Sequence, residues 1–307
     1  MKRFLKNLLI FCLVLSAVLI LEDILVTYAY HHKITRKYRV WNEIIHTSID
    51  ADLLILGNSR AWCQYSPQIL DSILGTNSYN IGIDGSAINR QRARYDIYRH
   101  YQEVKPKYLI HNVEFFTLGG LTIGYEREQF MPYMMFPYAR KRIIDAGEPF
   151  SFGELYIPMY RYYTNNVYDD YTKFDYVIEK GYFGEDIPWD GSKLADLEPY
   201  VAPIDSQALN IFIDFIEELI KDDIQIVLVS APIYRGATQK VLNYDEYTKL
   251  YTNLSAQFGL SFLDYSDYYL CEDTIYFYNA THMNKQGAEL FSVQLARDLD
   301  SLGIIKE

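Results

Sequence analysis

The chain has 307 residues, half of them apolar, and a formal net charge of −11 at neutral pH. That length suits one large α/β domain or two smaller ones, with a sizeable core. The acidic balance and the lack of a basic stripe argue against a nucleic-acid partner. The three cysteines, Cys12, Cys63 and Cys271, form no metal-like spacing and no disulfide framework, although a Cys63–Cys271 bond is compatible with the sequence.

Residues 1–30 have the composition of a membrane-targeting element. Three basic residues precede an uncharged apolar run over residues 8–21, two acids follow, and residues 24–30 are again mostly apolar. The run of 14 residues is shorter than a spanning helix, which needs about 20 residues.

Two interpretations of this segment remain open. The run fits the core of a signal peptide, with residues 27–29 as a weak cleavage site. Alternatively, residues 5–30 span the membrane as an uncleaved anchor, which is the interpretation we favour. Basic residues on both sides leave the orientation undecided by charge, but the signal-like layout favours export of the C-terminal part.

The first half of the remaining chain alternates between strand and helix patterns. In chain order it predicts a strand over 51–56, a helix from Ser66-Pro67 to Gly75, a strand and turn over 77–85, a helix over 88–104 and a strand over 107–113. The pattern then lapses over about 118–203, which is rich in tyrosine, glycine and proline. We interpret that stretch as an insertion or lid within one domain spanning 31–307.

Regular patterns return at Asp205. They predict a helix from that residue, a central strand over 224–232, a helix ending at Gly259, a strand over 260–263 and a final helix from about Lys285 to Gly303. Five strands with intervening helices predict a three-layer α/β/α fold around a parallel sheet.

Candidate chemical groups follow the predicted strands, where parallel sheets bind their ligands. Ser59 follows the first strand, Gly82 ends the second, and His282 lies in the loop before the last helix. A serine hydroxyl needs a base to attack a carbonyl, and His282 is the best-placed histidine. The backbone amides of Ser59 and Gly82 are candidate oxyanion donors.

Three short motifs resemble those of the SGNH, or GDSL-like, hydrolase superfamily. They are Gly57-Asn58-Ser59, "YNIGIDG" and "NATHMNKQGAELFS". The resemblance covers about residues 51–113 and 205–302. It implies a flavodoxin-like sheet and an esterase site, and it is closer to membrane-anchored bacterial members. Related proteins of that kind acylate cell-surface polysaccharides.

The resemblance has two departures. Asn279 occupies the position, three residues before the histidine, where the superfamily has an aspartate. An amide orients an imidazole but cannot stabilise its charged form, so a nearby acid could substitute: Asp264, Asp267, Glu272 or Asp273. Otherwise the catalytic site is a dyad of Ser59 and His282 with Asn279 as the residue that orients the imidazole. The superfamily also has a further block after the third strand, which normally supplies an asparagine to the oxyanion. Asn112 is the candidate here, although the family position lies nearer Phe115, and Glu114 has no assigned role.

Each feature also has a plain structural interpretation. Ser59 could be a turn or N-cap residue, His282 a surface histidine, and Arg60 either an anion ligand or a solvated or paired arginine. Several aromatic residues could line a glycan groove or simply pack: Tyr133, Tyr138, Tyr160, Tyr162, Tyr163, Tyr182 and Trp189.

The sequence therefore supports two hypotheses. The first is a single-pass bacterial membrane protein whose extracytoplasmic domain is a serine esterase or O-acyltransferase. It would act on acylated envelope glycans beside polysaccharide-assembly proteins, and its mechanism requires no metal or cofactor. The second is a catalytically inactive glycan-binding or scaffold subunit with the same fold.

Overall fold

A five-stranded parallel sheet forms the centre of the fold, as the sequence predicts. The computed structural model describes residues 1–33, 36–164, 178–194 and 196–305. The strands are β1 Leu53–Leu56, β2 Ser78–Asn80, β3 Tyr108–Asn112, β4 Gln225–Ser230 and β5 Ser261–Asp264. Their order in the sheet is β2-β1-β3-β4-β5.

The central strands are apolar because both of their faces are covered. All four residues of β1 are fully buried, and Leu53 pairs with Ser78 of β2 on one side and Tyr108 of β3 on the other. Strand β5 lies at the edge and is only half-buried. The parallel register brings the ends of β1, β2 and β3 to one edge of the sheet.

Helices cover both faces. In the first part of the chain they are α1 Lys2–His31, α2 Arg36–His46, α3 Ser59–Gln64, α4 Pro67–Leu74 and α5 Ile88–Tyr101. In the predicted insertion they are α6 Pro137–Asp145, α7 Phe152–Tyr156 and α8 Tyr160–Thr164, after a 3₁₀ helix at Arg127–Tyr133. The last part contains α9 Ser206–Lys221, α10 Arg235–Thr238, α11 Tyr244–Phe258 and α12 Lys285–Ser301, with 3₁₀ turns at Tyr269–Glu272 and Thr274–Tyr276.

The two sides of β1 define the two outer layers. Leu53 and Ile55 face a core shared with α4 and α12. Leu54 and Leu56 face a larger core that includes α2, α5, α9 and α11. Helix α1 is apolar and long enough to cross a membrane, and it is the one such helix in the described part of the chain.

The part of the predicted insertion from the 3₁₀ helix to α8 packs onto the larger core, whereas Tyr182 and Trp189 pack against the other core. Helix α6 contacts α5, and the 3₁₀ helix contacts α1. Tyr133 and Tyr162 are completely buried in the larger core, so of the two alternatives for these residues the structure supports packing and not a glycan groove. Their hydroxyls bond to Asn42 and Thr27, respectively, both from the N-terminal helices.

All three cysteines are free. The Cys63 thiol lies 3.5 Å from the hydroxyl of Tyr278, and that of Cys271 lies 3.4 Å from the carbonyl of Tyr265. The disulfide that the sequence permits is therefore not formed.

Candidate active site

The turn after β1 is shaped by Gly57 and Asn58. Gly57 has φ +153°, and a Cβ atom there would lie 2.7 Å from Cβ of Ala61 and 2.9 Å from Cβ of Asn112. Asn58 is the N-cap of α3, because its side chain accepts the Arg60 N–H at 3.0 Å. Ser59 is consequently the first residue of the helix rather than its cap.

His282 is held by a tight loop in front of α12. The loop is closed by a hydrogen bond from the backbone N–H of Tyr278 to the carbonyl of His282 at 3.0 Å. Asn284 then caps α12 by accepting the N–H of Gly287 at 3.0 Å, as its position predicts. This geometry leaves His282 Nε2 2.7 Å from Oγ of Ser59.

Asn279 fixes the tautomer of His282. Its Oδ1 accepts the backbone N–H groups of Thr281 and His282, both at 3.0 Å, so this atom must be an oxygen. The same oxygen lies 3.0 Å from Nδ1 of His282 and bonds to that nitrogen when Nδ1 carries the proton. The Thr281 hydroxyl, also 3.0 Å from Nδ1, donates to Asn279 Oδ1 in that arrangement. Nε2 is then the acceptor for the Ser59 hydroxyl.

None of the four acids proposed to replace the missing aspartate bonds to His282, so that expectation is wrong. Asp267 and Glu272 pair with Arg235. Asp264 and Asp273 instead accept backbone N–H groups within their own turns. In the described ranges, the side-chain partners of the imidazole are Ser59, Asn279 and Thr281.

His282 is uncharged in this setting. Burial and, to a smaller extent, the nearby charge of Arg60 together lower the pKa of His282 to about 3. The desolvated imidazolium has no carboxylate to stabilise it. Above that pKa the ring is neutral and able to accept a proton.

Arg60 forms a buried ion pair with Glu114, the acid to which the sequence assigns no role. The two residues are 1% and 5% exposed. The amide of Asn58 also donates to Glu114. This pair ties the turn after β1 to the end of β3, so Arg60 is a paired arginine and not a solvated one.

The three proposed oxyanion donors differ in the hydrogen bonds that they already make. The N–H of Ser59 lies in the first turn of α3, where helix amides lack an intrahelical acceptor. The N–H of Gly82 donates to Oδ1 of Asn80 at 2.9 Å. Asn112 accepts the Tyr65 hydroxyl at 2.7 Å, whereas its buried Nδ2 has no hydrogen-bond partner in the part of the chain described.

The described residues contain no group of three or more His, Cys, Asp or Glu side chains able to hold a metal ion. Of the three proposed donors, Asn112 Nδ2 is buried without a hydrogen-bond partner among the described residues, and the Ser59 N–H lies in the first turn of α3.

Comparisons with known proteins give distant likenesses. No protein-family model matches the chain, and no curated protein matches it significantly. A Bacteroides fragilis protein whose name assigns it to the acylhydrolases is 13% identical, with a TM-score of 0.37 over 80% of this chain and 86% of the other. A GDSL-like lipase from Bacteroides thetaiotaomicron is 12% identical, with a TM-score of 0.37 over 87% and 99%. Neither likeness is close enough to assign a family or an activity.

Proposed function

We propose that the protein is a membrane-anchored, extracytoplasmic SGNH-like serine esterase or O-acyltransferase that acts on acyl groups, most simply acetyl, of envelope glycans. The observation that carries this proposal is the 2.7 Å contact between Ser59 Oγ and His282 Nε2. The motifs around these two residues, which resemble those of the superfamily, supply the substrate class.

The geometry suits acyl transfer through a covalent intermediate. Ser59 Oγ attacks the acyl carbonyl carbon while Nε2 of His282 takes its proton. The tetrahedral oxyanion receives hydrogen bonds from the Ser59 amide and Nδ2 of Asn112. Its collapse expels the alcohol, which takes the proton from His282 and leaves an acyl-serine. Water then gives deacylation, and a sugar hydroxyl gives transfer.

The end of α1 supports a retained anchor rather than a cleaved signal. Thr27 and Tyr30 are buried against the domain, and Thr27 Oγ1 lies 2.5 Å from the hydroxyl of Tyr162. Asn42 of α2 donates to the carbonyl of Tyr30 at 2.8 Å. Cleavage after residue 29 would remove the buried Thr27 and its contact with Tyr162, and would leave Tyr30 as the new N-terminus.

A non-catalytic glycan-binding or scaffold subunit is the second candidate. Two observations favour it: Asn279 cannot stabilise a charged imidazole, and the Gly82 amide is already bonded to Asn80. In this case the protein would bind the glycan without catalysing a reaction on it.

Mass spectrometry of envelope glycans tests the proposal in cells. A chromosomal Ser59→Ala variant should change the ester content of one glycan as fully as deletion does. Ser206→Ala is the matched control, because Ser206 is also the first residue of a capped helix and is exposed. If Ser59→Ala behaves like wild type while deletion changes the glycan, the scaffold function is supported and catalysis is contradicted.

A further inference from the structure

The segment of α7 and α8, residues 152–163, has an unusual surface. Every exposed side chain in it is aromatic or aliphatic: Phe152, Tyr156, Ile157, Tyr160 and Tyr163. Its two charged residues, Glu154 and Arg161, are buried. We call these five exposed side chains the α7–α8 face.

The buried charges of this segment are paired internally. Glu154 bonds to Arg127 at 2.9 Å and closes a capping box with Ser151 at the start of α7. Arg161 bonds to Asp23 of α1 at 2.7 Å. The segment thus turns its charge inward and its apolar side chains outward, the reverse of an ordinary solvated surface.

The α7–α8 face lies beside α1 at the level of Glu22 and Asp23. Asp23 accepts the backbone N–H of Met159 at 2.9 Å as well as the Arg161 bond. The hydroxyl of Tyr163 lies 3.2 Å from the carboxylate of Glu22. Both acids that interrupt the apolar sequence of α1 are therefore used to hold this segment.

That level corresponds to the end of the apolar part of α1. Residues 4–21, whose single charged residue is Lys6 near the N-terminal end, rise about 27 Å along the helix axis, which is close to the about 30 Å of a bilayer's hydrocarbon core. The apolar side chains of α1 over this stretch are largely exposed. Glu22, Asp23 and the α7–α8 face then lie at the membrane–water interface, where tyrosine is enriched.

We propose that the α7–α8 face is a second membrane contact, seated at the boundary between lipid headgroups and acyl chains. The inference rests on the proposed anchoring by α1. The face is continuous with that helix, carries no exposed charge and consists largely of aromatic rings, which suits an interfacial position. Two contacts fix the tilt of the domain, and hence the direction in which Ser59 faces, whereas a lone helix would let the domain swing.

Depth-dependent fluorescence quenching tests this contact on the full chain in lipid nanodiscs. Single cysteines, introduced on a Cys12→Ala background, carry an environment-sensitive fluorophore. The buried Cys63 and Cys271 stay unlabelled in folded protein, which checks each variant. Tyr156→Cys is the test position. Leu302→Cys is the matched control, since both residues are 60% exposed and Leu302 is the C-cap of α12, on the opposite side of the sheet. Leu15→Cys lies in α1 and tests whether that helix is itself within the membrane.

The contact predicts strong quenching by lipid-borne nitroxides at positions 156 and 15, with at least about a threefold smaller effect at 302. Quenching at 15 but not at 156 overturns the second contact while leaving the anchor intact, including the case in which a protein covers the face. Loss of quenching at both positions overturns the anchoring on which the proposed localisation depends.

Discussion

Oδ1 of Asn279 lies 3.0 Å from Nδ1 of His282 and at the same time accepts two backbone N–H groups of its own loop. The amide therefore orients the imidazole as a carboxylate would, and it sets the same tautomer. It provides no negative charge for the imidazolium that forms when Ser59 loses its proton. Orientation and charge stabilisation, which an aspartate combines, are separated at this site.

Asn279→Asp should restore the missing charge. The carboxylate accepts the same hydrogen bonds and stabilises the imidazolium, so we expect kcat on an acetyl ester to rise at least about tenfold; in chymotrypsin the reverse change costs about 10⁴. Asn279→Ala should lower kcat, because it removes the hydrogen bonds that hold the imidazole of His282 and its loop in place. Steady-state kinetics of the three proteins check both directions. An unchanged or lower rate in Asn279→Asp would show that charge at this position does not limit the reaction.

The pH profile should reflect the depressed pKa of His282. A base with a lowered pKa works above that value and fails as the pH falls through it, so activity should stay level from pH 8 to about 5, without a step near the ordinary 6.5. Asn279→Asp should shift the acidic limb of this profile to higher pH. A wild-type midpoint near 6.5 in kcat/KM would contradict the burial argument.

The same pKa also makes folding sensitive to acid. Below 6.5 the unfolded chain takes up a proton at His282 that the folded chain, with a pKa of about 3, does not. Stability from this residue is therefore complete above 6.5 and is lost as the pH falls toward 3. Buried His111, whose pKa burial also lowers to about 3, acts in the same direction. Thermal unfolding midpoints should fall over that range.

Removing one partner of the buried Arg60–Glu114 pair should lower the free energy of unfolding more than replacing both partners does. Glu114→Gln leaves an uncompensated buried guanidinium, so unfolding free energy should drop by about 3–5 kcal/mol in urea titrations. Arg60→Met combined with Glu114→Gln should recover part of that loss.

The exposed pair of Lys141 and Asp145 is the matched control for this cycle. Asp145→Asn should cost less than about 1 kcal/mol. Equal losses for Glu114→Gln and Asp145→Asn, or an additive double variant at the buried pair, would contradict a coupled buried pair.

Local patterns predicted the frame well. The four apolar residues of β1 predict a buried strand, and Asn284 before an amphipathic run predicts the start of α12. Ser59 and His282 follow from these elements, because a parallel sheet gathers the ends of its strands at one edge. The contact between them is a consequence of topology, which the alternating pattern supplies.

Pairings between distant segments were not predictable from the sequence. Glu114 becomes the partner of Arg60 only when β3 lies beside β1. The Gly82 N–H donates to the side chain of Asn80, two residues away, and the sequence does not determine the side-chain conformer that makes this bond. Tyr133 and Tyr162 resemble surface aromatics in composition, yet α1 and α2 bury them. These outcomes depend on strand adjacency, a local side-chain conformer and helix packing, respectively, and periodicity does not encode any of them.

Labelling with a fluorophosphonate tests the central claim, that His282 activates Ser59 as a nucleophile, most directly. The folded full-length protein should be modified at Ser59, as located by peptide mass spectrometry, at a rate that drops at least about 10³-fold in His282→Ala and is unchanged in Ser206→Ala. Ser59→Ala should abolish labelling. Folded protein that stays unmodified at Ser59 from neutral to alkaline pH, or is modified equally fast without His282, would contradict the claim.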